Sequence, residues 1–248
     1  MNLDRVIAVR TQKTVYKDGD SCIKVFGADY SAADVLSEAL CLARAAEAGL
    51  NVPEVRAVET AGEKRAIVTE YIEGRALSEE MREHPEKRRE YLGLLVRLQQ
   101  QTQQKSGGGL PKLADKIARG IAKAKDCGAN AAALFELFKA LPEKESFCHG
   151  DFNPSNVILT ERGGEVLLDF SHAAAGDPLI DAAITYLYFK LKERECTAET
   201  YLETYAKNSG AETVKTEILK RLPLAAAVWL LRANEEERER LLPFVNNV

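Results

Sequence analysis

One nine-residue stretch constrains this chain more than any other: Cys148-His149-Gly150-Asp151-Phe152-Asn153-Pro154-Ser155-Asn156, with Asp169-Phe170 beginning thirteen residues after Asn156. It offers an Asp, an Asn five residues later, and a second Asp at the end of the apolar run Val166-Leu167-Leu168. A turn at Gly163-Gly164 between Val157-Ile158-Leu159 and that run makes the connection a β-hairpin. Phosphoryl transfer needs such a set: one carboxylate to orient an attacking hydroxyl, and hard oxygen ligands to hold a divalent ion on the phosphates. Asp151 is the candidate catalytic base, and Asn156 and Asp169 are the candidate magnesium ligands. The bland alternative makes His149-Gly150-Asp151 a turn and Asp169 a helix cap. A lone Asp-Phe would deserve that reading; the combined spacing does not. A histidine can move protons near neutral pH, but His149 is expected to brace the loop through backbone near Asp169 rather than to do so.

Around this stretch the chain divides in character. Val6 to Val9, Thr14 to Tyr16 and Cys22 to Phe26 read as strands, with a turn at Asp18-Gly19-Asp20. A helix follows, capped by Ser31 or Asp34 and stopped by Gly49, with an apolar stripe through Val35, Leu36, Ala39, Leu42, Ala43 and Ala46. Two more strands cover Val55 to Glu59 and Arg65 to Tyr71, so residues 1–73 read β-β-β-α-β-β. Residues 74–248 are mainly helical: 86–105, 113–125, 129–141, 179–194, 197–207 and 214–231 all carry helical patterns. Gly107-Gly108-Gly109 marks a flexible loop. Asp177, Pro178 and Asp181 read as the start of a helix that holds the Asp151 loop.

The strand-rich part offers a charge pair. Lys24 interrupts an apolar strand, so it points either to solvent or into a cleft, and Glu38 lies fourteen residues on, in the helix. A Lys–Glu pair there would aim an ammonium at nucleotide phosphates. No GxGxxG and no GxxxxGK[ST] occurs. The turn Arg10-Thr11-Gln12-Lys13-Thr14 is either a phosphate-meeting loop, with Thr11 and Lys13 as contacts, or an ordinary polar hairpin. Backbone groups of Glu70 and Ile72, where strands give way to helices, are candidates to pair with an adenine.

Composition closes off several function classes. A formal net charge of −4 over 248 residues argues against a nucleic-acid partner, which would call for a basic face. No run of 18 apolar residues suggests a membrane span, and the N-terminus lacks the apolar core of a signal peptide. Five scattered cysteines without a CxxC pair, and only three histidines, argue against structural zinc and suggest reduced thiols in a cytoplasm.

Through Ile23-Lys24-Val25-Phe26, Glu38, Val68 to Gly74, His149 to Asn156, Asp169-Phe170 and Gly176-Asp177-Pro178, the chain resembles the aminoglycoside phosphotransferase and choline-kinase-like family, relatives of protein kinases. Gly150 stands between His149 and Asp151, where ordinary protein kinases carry Arg, which favours the small-molecule branch. The resemblance implies an α+β, two-lobed protein-kinase-like fold: a small antiparallel-sheet lobe with one helix over 1–73, and a larger helical lobe over 74–248. It implies ATP and Mg2+ as cofactors, Asp151 as base, Asn156 and Asp169 on the metal, Lys24 with Glu38 positioning phosphates, and a small-molecule hydroxyl as acceptor. Two departures, Asn153 where relatives often carry His and Ser171 after Asp169-Phe170, remove no metal ligand.

Two other readings compete. A nucleotide-binding regulator without turnover is motivated by the weak phosphate loop and Ser171. A protein kinase is disfavoured because no alanine-proline-glutamate segment follows Asp169. The acceptor stays open: Glu235, Glu236, Glu237 and Glu239 line an acidic pocket or simply form a solvated face, and Trp229, Tyr186, Tyr188 and Tyr201 form a cage for a quaternary amine or pack the core. The oligomeric state is not readable.

Overall fold

The computed structural model describes residues 2–10, 12–193, 195–211 and 213–248. They form two compact units, one of residues 1–83 with 154–172, the other of 84–153 with 173–248. This division is discontinuous, unlike the single break after residue 73 read from the sequence. The reason lies in pairing: β8 (Val157–Thr160) adds to β6 (Gly74–Ala76) and carries β9 (Glu165–Leu167) with it, in a three-stranded sheet of order β6-β8-β9.

The first unit is built on a five-stranded antiparallel sheet of order β1-β2-β3-β5-β4, from β1 (Val6–Arg10), β2 (Lys13–Asp18), β3 (Ser21–Phe26), β4 (Val55–Ala61) and β5 (Lys64–Glu70). Period-two alternation sorts β3 between two faces. Ile23 and Val25 join Ala66 and Val68 in one apolar cluster. Phe26 goes to the other face, with Ile67 and with Val35 and Ala39 of α1 (Ala32–Glu47). Lys24 pairs across the ladder with Ile67, so alternation turns it toward the α1 side. Ser31 caps α1, accepting from the Asp34 N–H at 3.0 Å. Gly49, at φ 76°, ends it: Gly49 N–H reaches the Ala46 carbonyl and Leu50 N–H the Ala45 carbonyl.

The buried face of α1 overlaps its apolar stripe only in part: Val35 and Ala39 turn inward as the stripe marked. Leu36 is exposed while Glu38 is buried beside Val35 and Ala39. A buried carboxylate costs several kcal/mol unless paired (about that order), so the partners of Glu38 decide which face turns inward. A short α2 (Leu77–Glu83), unmarked in the sequence reading, completes this unit's helices among the described residues.

The second unit packs α3 (Arg88–Gln103), α4 (Leu113–Asp126) and α5 (Ala131–Lys139) with α6 (Pro178–Lys192), α7 (Glu195–Ser209), α8 (Thr213–Lys220), α9 (Leu222–Trp229) and α10 (Glu235–Val245). Helix α6 is buried nearly all round, from Ile180 through Leu187, as suits a central helix. Asp177 caps it and Pro178 opens it. The stretch expected as one helix over 214–231 is two, α8 and α9. Pro223 lacks an N–H, so the ladder breaks at Arg221. A two-stranded ladder of β7 (Ser146–Cys148) and β10 (Ala174–Gly176) precedes α6. The glycine run expected as a flexible loop is pinned: Gly107 N–H donates to Glu145 O, and a Cβ on Gly107 would lie 2.7 Å from that of Ala175. All five cysteines are free. No helix among the described residues is long and apolar enough to cross a membrane.

Candidate active site

Within the first unit, one carboxylate gathers two lysines. Lys24 Nζ donates to Glu38 Oε1 at 2.6 Å, and Lys13 Nζ donates to Glu38 Oε2 at 2.8 Å. Lys13 is not in a turn, as the sequence reading had it. It opens β2 opposite Phe26, on the α1 side of the sheet, with its ammonium 5.3 Å from the ring centres of both Phe26 and Tyr30. Lys24 Nζ also lies 3.4 Å from Asp169 Oδ1, so Lys13, Glu38, Lys24 and Asp169 form a chain of alternating charge. Thr11 lies outside the described residues.

The two candidate metal ligands are joined by the β8–β9 hairpin. Asn156 closes a single 3₁₀ turn ahead of β8, and its carbonyl accepts from the Leu168 N–H at 2.8 Å, one residue before Asp169. Among the described residues Asp169 is the only non-glycine with positive φ, at 57°. Such a conformation costs any non-glycine residue something, though Asp tolerates it better than most, and it collects at functional sites. No cluster of three or more His, Cys, Asp or Glu able to hold a metal occurs among the described residues. An Asp with an Asn amide oxygen suits magnesium nonetheless, since that ion is usually held by one or two protein ligands, waters and substrate phosphates.

Burial by itself would raise the Asp169 carboxyl. Lys24, then Lys13, the Ser171 hydrogen bond and His172 outweigh it and hold the group well below the usual carboxylate range. Burial likewise pulls the Lys24 ammonium down, and Asp169 and Glu38 more than reverse this, leaving it above its ordinary value. The depressed Asp169 stabilises the fold fully above its unfolded pKa of about 3.9, and that contribution shrinks below it and is lost as pH falls through the lower folded value. The raised Lys24 contributes below its unfolded pKa of about 10.4 and ceases to as pH rises through its folded value. The thermal-midpoint advantage of the native chain over Asp169→Asn is therefore expected to be flat between about pH 5 and 8 and to shrink below about pH 4. An advantage that grows on acidification would contradict the assignment.

At the strand-to-helix connector, the Glu70 N–H is taken by Glu54 O at 2.9 Å, while its carbonyl accepts only a 3.2 Å bond from Thr69 Oγ1 among the side chains. The half-buried Ile72 has no hydrogen-bond partner for its N–H among the described residues. An acceptor and a donor two residues apart can meet the edge of a purine.

In the second unit, the Asp151 loop is braced from three directions. Its own N–H donates to His149 Nδ1 at 3.2 Å, with His149 buried and edge-on to Phe152. The brace is thus to the loop's own backbone. Asn153 Nδ2 donates to the Asp151 carbonyl at 3.0 Å. From α6, Asp181 Oδ1 accepts the Gly150 N–H at 2.7 Å and Thr185 Oγ1 donates to the Phe152 carbonyl at 2.8 Å. Asp181 is 1% exposed, and its other oxygen accepts from Gln99 at 3.1 Å and Gln103 at 2.8 Å. Those glutamines in turn accept from Tyr201 and Tyr205, each at 2.6 Å. Asp177, besides capping α6, receives buried Arg221 Nε at 2.6 Å.

Sequence reading missed Gln99, Gln103 and Arg232. The first two had a signal: they continue the spacing of Leu92, Leu95 and Val96 along the inward side of α3, where a polar residue needs a reason. Arg232, whose Nη2 donates to Asp151 Oδ1 at 2.9 Å, had none, lying 81 residues away. The aromatic cage does not survive in full: Tyr201 is fully buried, and Tyr186 is buried with its hydroxyl on Glu199 at 2.7 Å. Of the acidic run, Glu237 closes the cap of α10 with Asn234 and pairs with Lys192 at 2.6 Å, while Glu235, Glu236 and Glu239 are exposed.

Residues 11–216 match a sequence model described as "Phosphotransferase enzyme family". No curated sequence matches the chain. Among solved structures, a choline/ethanolamine kinase family protein from Mesorhizobium loti superposes with a TM-score of 0.67 at 18% identity, over 100% of this chain and 89% of that one. A thermostable mutant of aminoglycoside phosphotransferase APH(4)-Ia, in ternary complex with ADP and hygromycin B, gives 0.68 at 18% identity, over 96% and 90%. An aminoglycoside-3'-phosphotransferase of type VIII gives 0.63 at 19% identity, over 90% and 93%. The fold is the protein-kinase-like fold of these enzymes.

Proposed function

Because the chain belongs to the phosphotransferase enzyme family, we propose that it is a kinase that uses ATP and magnesium to phosphorylate a hydroxyl of a small molecule. The observation that carries this reading is the charge chain of the first unit, in which Glu38 holds Lys24 at 2.6 Å and Lys24 reaches Asp169 at 3.4 Å. A lysine so paired is kept charged and aimed, which is what a nucleoside triphosphate needs from it. Similar folds have been crystallised with ADP and with AMP, which supports nucleotide as the ligand.

Each residue has a distinct task in this proposal. Lys24 meets the phosphates, and Glu38 fixes it. Glu70 and Ile72 offer a carbonyl and an N–H to the adenine. Asn156 and Asp169 hold magnesium, which when bound neutralises charge on the phosphoryl oxygens. Asp151 accepts a hydrogen bond from the acceptor hydroxyl, orients it for in-line attack and takes its proton. The test is release of ADP with magnesium and pools of amino sugars, amino alcohols and related polyols. Strict dependence on magnesium and on one pool supports the reading. Tight ATP binding without release in any pool would instead favour a nucleotide-binding regulator.

Lys13 adds a separable prediction. By neutralising the second oxygen of Glu38 it lets Lys24 lean toward phosphates, and it brings its own charge to the same place. Lys13→Ala is expected to weaken ATP binding about fivefold, equivalent to about 1 kcal/mol, as read by calorimetric titration. An unchanged dissociation constant would reduce Lys13 to a structural cation over Phe26 and Tyr30.

A further inference from the structure

The second unit holds a cation beside the candidate base that no motif required. Arg232 lies in the turn between α9 and α10, its N–H on the Trp229 carbonyl at 3.0 Å and its guanidinium carbon 5.1 Å from the centre of the Trp229 ring. One nitrogen, Nη2, does all the side-chain hydrogen bonding among the described residues, to Gly150 O at 3.2 Å and Asp151 Oδ1 at 2.9 Å. Nε and Nη1, with three N–H groups between them, have no hydrogen-bond partner among the described residues, and neither is sealed from solvent. One of the three guanidinium nitrogens is therefore spent on the loop, and the N–H groups of the other two are available.

The charges around it balance. Asp151 is answered by Arg232, and Glu237, which also feels Arg232, is answered by Lys192 at 2.6 Å. Tyr188, pushed up to about 12 by burial and by Glu193 and Asp151, stays a neutral hydroxyl. An ammonium on the acceptor would thus meet a guanidinium and find Asp151 and Glu237 already paired, with only the exposed Glu193 left unanswered. A carboxylate or phosphate would meet the remaining N–H donors of a permanently charged guanidinium, which strengthens each N–H···O bond it accepts.

Resting on the kinase reading above, we propose that the acceptor is an anionic alcohol, carrying a carboxylate or phosphate close to the hydroxyl that reacts, and that Arg232 binds this anion. The hydroxyl oxygen forms the new bond to the γ-phosphorus, the bond from that phosphorus to the β-bridging oxygen breaks with its electron pair leaving on ADP, and the hydroxyl proton passes to Asp151. Arg232 thereby couples recognition to the base, since a docked anion sits within reach of the guanidinium that already touches Asp151.

Matched alcohols test this with the full chain, ATP and magnesium: glycerate and glycerol 3-phosphate against glycerol, gluconate against glucose, and ethanolamine and glucosamine as cations. The expected result is a kcat/KM for at least one anionic member about tenfold or more above its neutral partner, with the cations poorest, a factor in keeping with a charge-assisted pair. The carboxylate and phosphate arms separate the two anion types. Arg232→Gln should collapse that ratio, chiefly through KM, whereas a residue that only braces Asp151 would depress both members alike. Arg232→Lys, which keeps the charge and loses the free guanidinium donors, should give an intermediate ratio and serves if the Gln variant does not fold. Preference for a neutral or cationic member, a ratio that survives Arg232→Gln, or no turnover of any anionic member overturns the proposal. Magnesium-dependent ATP binding, measured on the same protein, tells whether the kinase reading falls with it.

Discussion

Asp151→Asn is expected to lower kcat by about a hundred- to ten-thousandfold, the range for losing a positioned general base, while ATP still binds. Asn can keep accepting from Arg232 through its amide oxygen, so the 2.9 Å contact need not be lost. The loop does not depend on the Asp151 carboxylate: it is held through the N–H and carbonyl of Asp151, the Gly150 N–H and the Phe152 carbonyl. The thermal midpoint should accordingly move by less than about 4 °C, the equivalent of roughly 1 kcal/mol for a chain of this size. Single-turnover measurements of ADP formation with whichever alcohol supports turnover by the unsubstituted chain would read the loss directly. A variant that turns over at the native rate would remove Asp151 from the chemistry and with it the proposed mechanism.

What the sequence disclosed, and what it hid, follows from the range of the interactions. Strands β2, β3 and β5 and the helix α1 were legible because alternation, a serine cap and a glycine stop are local signals. The spacing of Asp151, Asn156 and Asp169 was legible because a short loop and a hairpin fix it within 19 residues. Lys24 with Glu38 needed only one strand and the next helix. Lys13 was read as a turn residue because nothing nearby says that β2 begins there. Its placement is set by ladder partners on β3 and by a carboxylate 25 residues away. Leu36 misled for a related reason, since hydrophobicity alone cannot say that a doubly paired glutamate will take the inward face. Arg232 and Asp151 are 81 residues apart, and only the packing of α9 and α10 in the second unit decides that contact. The compact units are discontinuous in sequence because β8 pairs with the distant β6, a pairing for which composition carries no signal.

Asp181→Ala is expected to have the opposite signature to Asp151→Asn: loss of fold stability first, and loss of activity as its consequence. The side chain is 1% exposed and takes the Gly150 N–H on one oxygen and two glutamine amides on the other. Truncation orphans three donors in a site closed to water, and each buried donor left unpaired costs about 1 kcal/mol or more. The expected loss is about 3–5 kcal/mol, or about 6–20 °C in thermal midpoint for a chain of this length. Asp181→Asn separates geometry from charge. Its oxygen can still accept from Gly150, but its amide then faces the Gln99 and Gln103 amides donor to donor, unless both glutamines turn over. Turning them would break the bonds that Tyr201 and Tyr205 make to their carbonyl oxygens. The Asn variant should therefore fall between native and Ala in urea unfolding. If it matched the native chain, the glutamines would not be locked, and the buried network could not be what steadies the Asp151 loop.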